Sequence, residues 1–166
     1  MRLPKTPLLG LGLGLLQPAR SSAGNEAANR QLAAQFVSLM NDGDYGALAG
    51  LFTSPNASYW MNGSPARTAS AGTKTVAERL AGYGAALGAF DRFALTATEV
   101  AVDGDLVVVE ALGRGEGPGT FLYLQTAVLV FRVGADGRFA SLREYIDHQE
   151  VEYFRTYLER FPQCQG

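Results

Sequence analysis

From Arg92 to Asp147 the chain alternates apolar and polar residues almost without a break, and glycine-bearing turns cut the run into four segments. These are RFALTATEVAVD, DLVVVEALGRGEG, TFLYLQTAVLVFRV and RFASLREYID, parted by Asp103-Gly104, Gly117-Pro118-Gly119 and GADG. Alternation with period two marks strands with one buried face, and short glycine turns join them as antiparallel neighbours. A four-stranded meander is therefore the expected heart of the fold.

Before this run the period changes. NEAANRQLAAQFVSLMNDGD places Ala28, Leu32, Phe36 and Leu39 at helical spacing, with Asn25 as N-cap and Gly43 as stop. DYGALAGLF reads as a short second helix opened by Asp44, and ASYWMN as an isolated strand. GSPARTASAG reads as a loop of turn-forming residues. From Lys74 a third helix sets Val76, Leu80, Tyr83, Leu87 and Phe90 on one stripe. A last helix carries Val151, Phe154, Leu158 and Phe161 on one face. Helices followed by a long antiparallel sheet define an α+β fold. A curved antiparallel sheet closed by N-terminal helices makes a cone with an apolar interior, a shape suited to a small-molecule ligand.

The first 24 residues depart from this pattern. Arg2 and Lys5, the apolar run Leu8–Leu16 and the small residues Ser21-Ser22-Ala23 have the layout of a secretory signal, with a disordered leader as the alternative. A cleaved signal implies a secreted or periplasmic protein; without it the location is cytoplasmic. The apolar run is too short to span a bilayer. Residues 25–162 then form a single domain that includes the C-terminal helix.

Composition narrows the chemistry. A net charge of -2 with no basic run argues against nucleic acid and acidic lipid as partners. Single cysteine and histidine residues rule out a cysteine cluster or histidine-rich metal site, so no metal or cofactor is implied. The expected partners are a hydrophobic small molecule and, through the valines and leucines of the convex sheet face, a second copy of the chain.

Four strings, FVSLMNDGDYGALAGLF, YWMNGSPARTASAG, GTFLYLQTAVLVFRVGADGRFASLREYID and, within the last, DGRFASLREYID, carry a family resemblance. Over about residues 25 to 152 the chain resembles the SnoaL-like polyketide cyclase, ketosteroid isomerase and limonene-epoxide hydrolase group of the nuclear-transport-factor-like superfamily. The resemblance implies a cone-shaped fold, frequent homodimers and reactions ranging from isomerisation to hydrolysis. It singles out Asp147, at the end of the last strand motif, as the acid/base. The arginine and aspartate of the epoxide hydrolases are not matched, since Ala111 and Gly113 follow Glu110 in VVVEALGRGEG.

Alternation divides the last strand into Arg143, Tyr145 and Asp147 on one face and Leu142, Glu144, Ile146 and His148 on the other. With Asp147 inside the cone, Tyr145, Tyr123 and Gln125 become donors to a substrate oxygen. Trp60, Tyr59 and Tyr83 would line the pocket, and Arg143 would bind an anionic group or pair with Asp147. Glu144 reads as a buried structural partner, His148 as a solvated residue, and capping of the last helix is the alternative role of Asp147. The function expected is acid/base catalysis on a hydrophobic oxygenated molecule: isomerisation, aldol-type cyclisation, lyase chemistry or dehydration. A non-catalytic ligand-binding or dimerisation domain is the alternative.

Overall fold

Six strands form one open, curved sheet in the order β2-β1-β6-β5-β4-β3, and the helices pack against its concave side. The computed structural model describes residues 22–117 and 119–160. The expected leader falls on residues 1–24, of which 1–21 lie outside the described residues.

Helix α1 (Ser22–Asp42) already runs through Asn25, so Asn25 does not cap it. Its buried side carries Asn29, Ala33, Phe36 and Met40, one position on from Ala28, which is exposed. Asn41 docks the helix on the sheet. Its side chain accepts from Leu95 N at 2.6 Å and donates to Leu95 O at 3.0 Å, as a paired strand would. Gly43, at φ 68°, turns the chain into α2 (Tyr45–Gly50), whose N-cap Asp44 accepts from Ala47 N at 2.9 Å.

Strand β1 (Ser58–Met61) pairs antiparallel with β2 (Gly72–Thr75) and parallel with β6 (Phe139–Ile146). Lys74 thus lies in a strand, and α3 (Val76–Leu87) begins two residues later than expected. Thr75 and Glu78 close a capping box at its start. The expected meander is β3 (Arg92–Asp103), β4 (Leu106–Glu116), β5 (Leu122–Val133) and β6, paired antiparallel in sequence order. Helix α4 (His148–Arg160) follows at once and returns across the end of β5.

The concave side divides into two zones. Phe36, Phe52, Phe131 and Phe139 fill its floor, with Phe131 and Phe139 stacked at 4.2 Å and Phe36 edge-on to Phe131 at 5.0 Å. Phe90, Phe121, Tyr123 and Phe154 form a second aromatic group where α4 meets the sheet. Space remains between the two groups. On the outer face Leu112, Leu122, Leu124 and Tyr145 are exposed.

Candidate active site

The space between the two aromatic groups is a cavity of about 190 Å³, lined largely by apolar side chains. Strand alternation supplies its walls. β1 turns Tyr59 and Met61 inward, β5 turns Tyr123, Gln125 and Ala127 inward, and β6 presents Glu144 and Ile146. From α3 come Arg79 and Tyr83, and the exposed row Glu78, Gly82 and Ala86 lies one turn apart along its rim.

Glu144 is the buried acid of this cavity, 8% exposed. Tyr59 Oη lies 2.9 Å from Glu144 Oε2 and 3.2 Å from Tyr83 Oη, and Tyr83 Oη also donates to Oε2. Both hydroxyls meet the same oxygen. Oε1 accepts no bond among the described residues, and Glu144 lines the cavity.

Burial lifts the Glu144 carboxyl above the ordinary glutamate range, against the opposing pull of the tyrosine hydrogen bonds and the more distant Arg79. The tyrosines respond in the same sense. Desolvation, then the nearby Glu144 charge, holds Tyr59 and Tyr83 well above the usual phenol value. Tyr123 is pushed up to about 12, chiefly by desolvation. All three therefore act as hydrogen-bond donors at neutral pH. Tyr123 accepts from Gln125 Nε2 at 3.0 Å, which leaves its own proton for a ligand.

Of the residues singled out from sequence, Tyr59, Tyr83, Tyr123 and Gln125 line the cavity. Gln125 is largely committed, because its amide donates to Asp147 O and accepts from Asp147 N, both at 2.9 Å. Trp60, Arg143 and Tyr145 lie on the opposite face. There Arg143 Cζ stacks 4.7 Å from the Trp60 ring, and Tyr145 meets that ring edge-on at 5.3 Å. Tyr145 and Arg143 are thus not placed to act in the cavity.

Asp147 requires the same correction. It is exposed, and its Oδ1 accepts from Gln149 N at 2.8 Å at the start of α4, so it performs the capping role instead. No bond joins it to Arg143 among the described residues. His148 is half-buried rather than solvated, with Nε2 2.5 Å from Asn62 O. Replacing Asp147 with Ala should lower unfolding stability by about 1 kcal/mol, the usual worth of an N-cap. Ligand affinity in the cavity should not change. Denaturant titration beside a binding isotherm reads both, and a large loss of affinity at unchanged stability would return Asp147 to the site.

A curved, unclosed six-stranded sheet with N-terminal helices packed on it is the architecture of the nuclear-transport-factor-like, ketosteroid isomerase-like fold. The chain belongs to the SnoaL-like domain family, which it matches over residues 33–142. Glu144 and Asp147 both lie beyond that matched stretch. UPF0523 protein C of Dictyostelium discoideum is 24% identical over 127 residues, spanning 73% of this chain and 81% of the relative. PrhC of Penicillium brasilianum has a similar structure, with TM-score 0.71 at 14% identity over 85% of this chain and 93% of that one. SalBIII, described as an epoxide hydrolase/cyclase-like enzyme in pyran ring formation, gives TM-score 0.59 at 18% identity over 75% and 95%.

Proposed function

We propose that this chain is a cofactor-independent acid/base enzyme in which Glu144 moves a proton on a hydrophobic, oxygenated small molecule. The observation that carries this reading is the division of labour within one carboxylate. Oε2 is fixed by Tyr59 and Tyr83, while Oε1 is left without a hydrogen bond on a residue that lines an apolar cavity. Ionised, Oε1 accepts a proton from carbon beside a carbonyl, and Tyr123 donates to the oxygen where negative charge collects. Returning the proton at another position completes an isomerisation; attack of the enolate on a second carbonyl, with the proton returned from Glu144 to the new alkoxide, completes an aldol-type cyclisation. Both outcomes need one base and one donor. SalBIII, a cyclase-like enzyme of similar fold, lends support to cyclisation.

The raised carboxyl supplies a test that needs no substrate. A group bound more tightly to its proton in the folded state contributes stability that is complete below the unfolded value. That stability is lost as pH rises through the folded one. Wild-type stability relative to Glu144→Gln should therefore fall across the window from the ordinary glutamate range up to Glu144's own higher value. The slope inside the window approaches about 1.4 kcal/mol per pH unit, the limit for one proton. Urea unfolding at a series of pH values, with infrared detection of the protonated carboxyl, measures it. A flat difference, with Glu144 titrating as an ordinary surface glutamate, would remove the acid/base assignment.

A further inference from the structure

Arg79 is 4% exposed, lines the same cavity and has no carboxylate partner; the ion pairs among the described residues all lie on the surface and none includes it. A guanidinium is a permanent cation, and burying one without a counter-ion is costly. Backbone carbonyls satisfy part of it. Nη1 donates to Ser70 O, Nη2 donates to Gly72 O at 2.9 Å, and Nη1 also lies 3.7 Å from Met61 Sδ. The Tyr59 ring sits 5.2 Å from Cζ. These contacts pin the loop before β2, but they leave Nε–H without an acceptor. Ser70 Oγ, on the residue whose carbonyl Arg79 holds, is likewise buried without a partner and also lines the cavity.

Two unpartnered donors thus meet at one end of an apolar cavity, one of them on a cation whose nearest buried carboxylate, Glu144, acts on it across the cavity without an ion pair. Two other charged side chains stand at the rim. Glu78 is engaged by Thr75 N and Oγ1 at 2.8 Å, and Lys74 adds a second cation. We propose that the Ser70–Arg79 end is a carboxylate subsite, and that the ligand is a monoanion with an apolar body. One carboxylate oxygen takes the Arg79 Nε–H and the other the Ser70 hydroxyl. The rest of the molecule extends past Tyr59 toward Glu144 Oε1. Both donors are covered in this structure, so binding includes side-chain turns of Ser70 and Arg79 into the space they line. This deepens the acid/base reading, on which its place in the reaction rests; the binding itself does not depend on Glu144 being a base.

The probes are naphthoate and naphthamide, a carboxylate and its neutral amide of nearly equal shape, titrated calorimetrically at neutral pH. Wild type should bind the carboxylate roughly ten- to hundredfold more tightly, as hydrogen bonds to a buried charge warrant. Arg79→Gln should erase the preference and Arg79→Lys should keep part of it. Glu144→Gln should retain it, so a lost preference and a lost proton transfer fail separately. Should Arg79→Gln not fold, the arginine Nε–H resonance of wild type reads the same contact, moving downfield with naphthoate but not with naphthamide. Equal affinities, no carboxylate binding at millimolar concentration, an unmoved resonance or a preference that survives Arg79→Gln would each overturn the proposal.

Discussion

Glu144→Gln should lower base-catalysed turnover by about 10²- to 10⁴-fold, the usual contribution of a positioned general base. Nitrobenzisoxazole is a suitable reporter while the natural substrate is unidentified. It is a flat, neutral molecule that an apolar cavity accepts. Its ring opens when a base takes the C–H proton, the C–H electrons form the nitrile, and the N–O bond breaks to release a phenolate. Glu144 Oε1 would take the proton, and Tyr123 would donate to the leaving oxygen. Glutamine preserves the shape and accepts the tyrosine hydrogen bonds, but it cannot take the proton. The pH profile identifies the group further. Wild-type kcat/KM should rise with a midpoint above the ordinary glutamate range, because burial sets that direction. Tyr83→Phe should move the midpoint higher still, since the Tyr83 bond favours the ionised form. Unchanged turnover in Glu144→Gln would leave the ligand-binding alternative in place. Loss on Asp147→Asn instead would move the chemistry to the start of α4.

The sheet was legible because its information is local. Period-two alternation and glycine turns mark β3 to β6 within a few residues of their observed ends. Strand β2 was not, because Gly-Thr-Lys-Thr at the sheet edge shows neither alternation nor apolar content and acquires its state by pairing with β1. Nor does any local pattern announce the parallel pairing of β1 with β6. For the site, alternation separates the two faces of β6, and it is the resemblance alone that points to Asp147, with helix capping as its alternative role. The apolar residues Leu142 and Ile146 already marked their own face, and hence Glu144, as the inner one. Arg79 carried a signal of the same kind. It falls three residues after Val76 and four before Tyr83, on the apolar stripe of α3, where a charge is out of place unless it meets something buried. Such interruptions of an apolar face mark more of the cavity's charged lining than do the residues grouped at the strand end.

Phe139→Ala should destabilise the fold by about 3–5 kcal/mol, the range for a large aromatic deleted from a packed core. The ring is fully buried and stacks on Phe131 at 4.2 Å, with Phe52 at 5.5 Å and Phe36 at 6.3 Å. The backbone at this position is also a junction. Phe139 N donates to Leu51 O and Phe139 O accepts from Thr53 N, both at 2.9 Å, which ties the end of α2 to the start of β6. Alanine keeps those bonds, so the loss measures packing alone. Against a total stability of about 5–15 kcal/mol this is a large fraction, and the melting temperature should fall by roughly 10 °C or more. Phe139→Leu, which keeps most of the volume, should lose much less. The effect reaches the site because Phe36 belongs to both the floor cluster and the cavity wall, and Phe131 pairs with Leu142, two residues before Glu144. Thermal melts and nitrobenzisoxazole turnover on the still-folded fraction separate the two consequences. A loss of stability under about 1.5 kcal/mol would mean that Phe36 swings in to refill the floor. The cavity above would then enlarge, and the carboxylate held by Tyr59 and Tyr83 would lose part of its support.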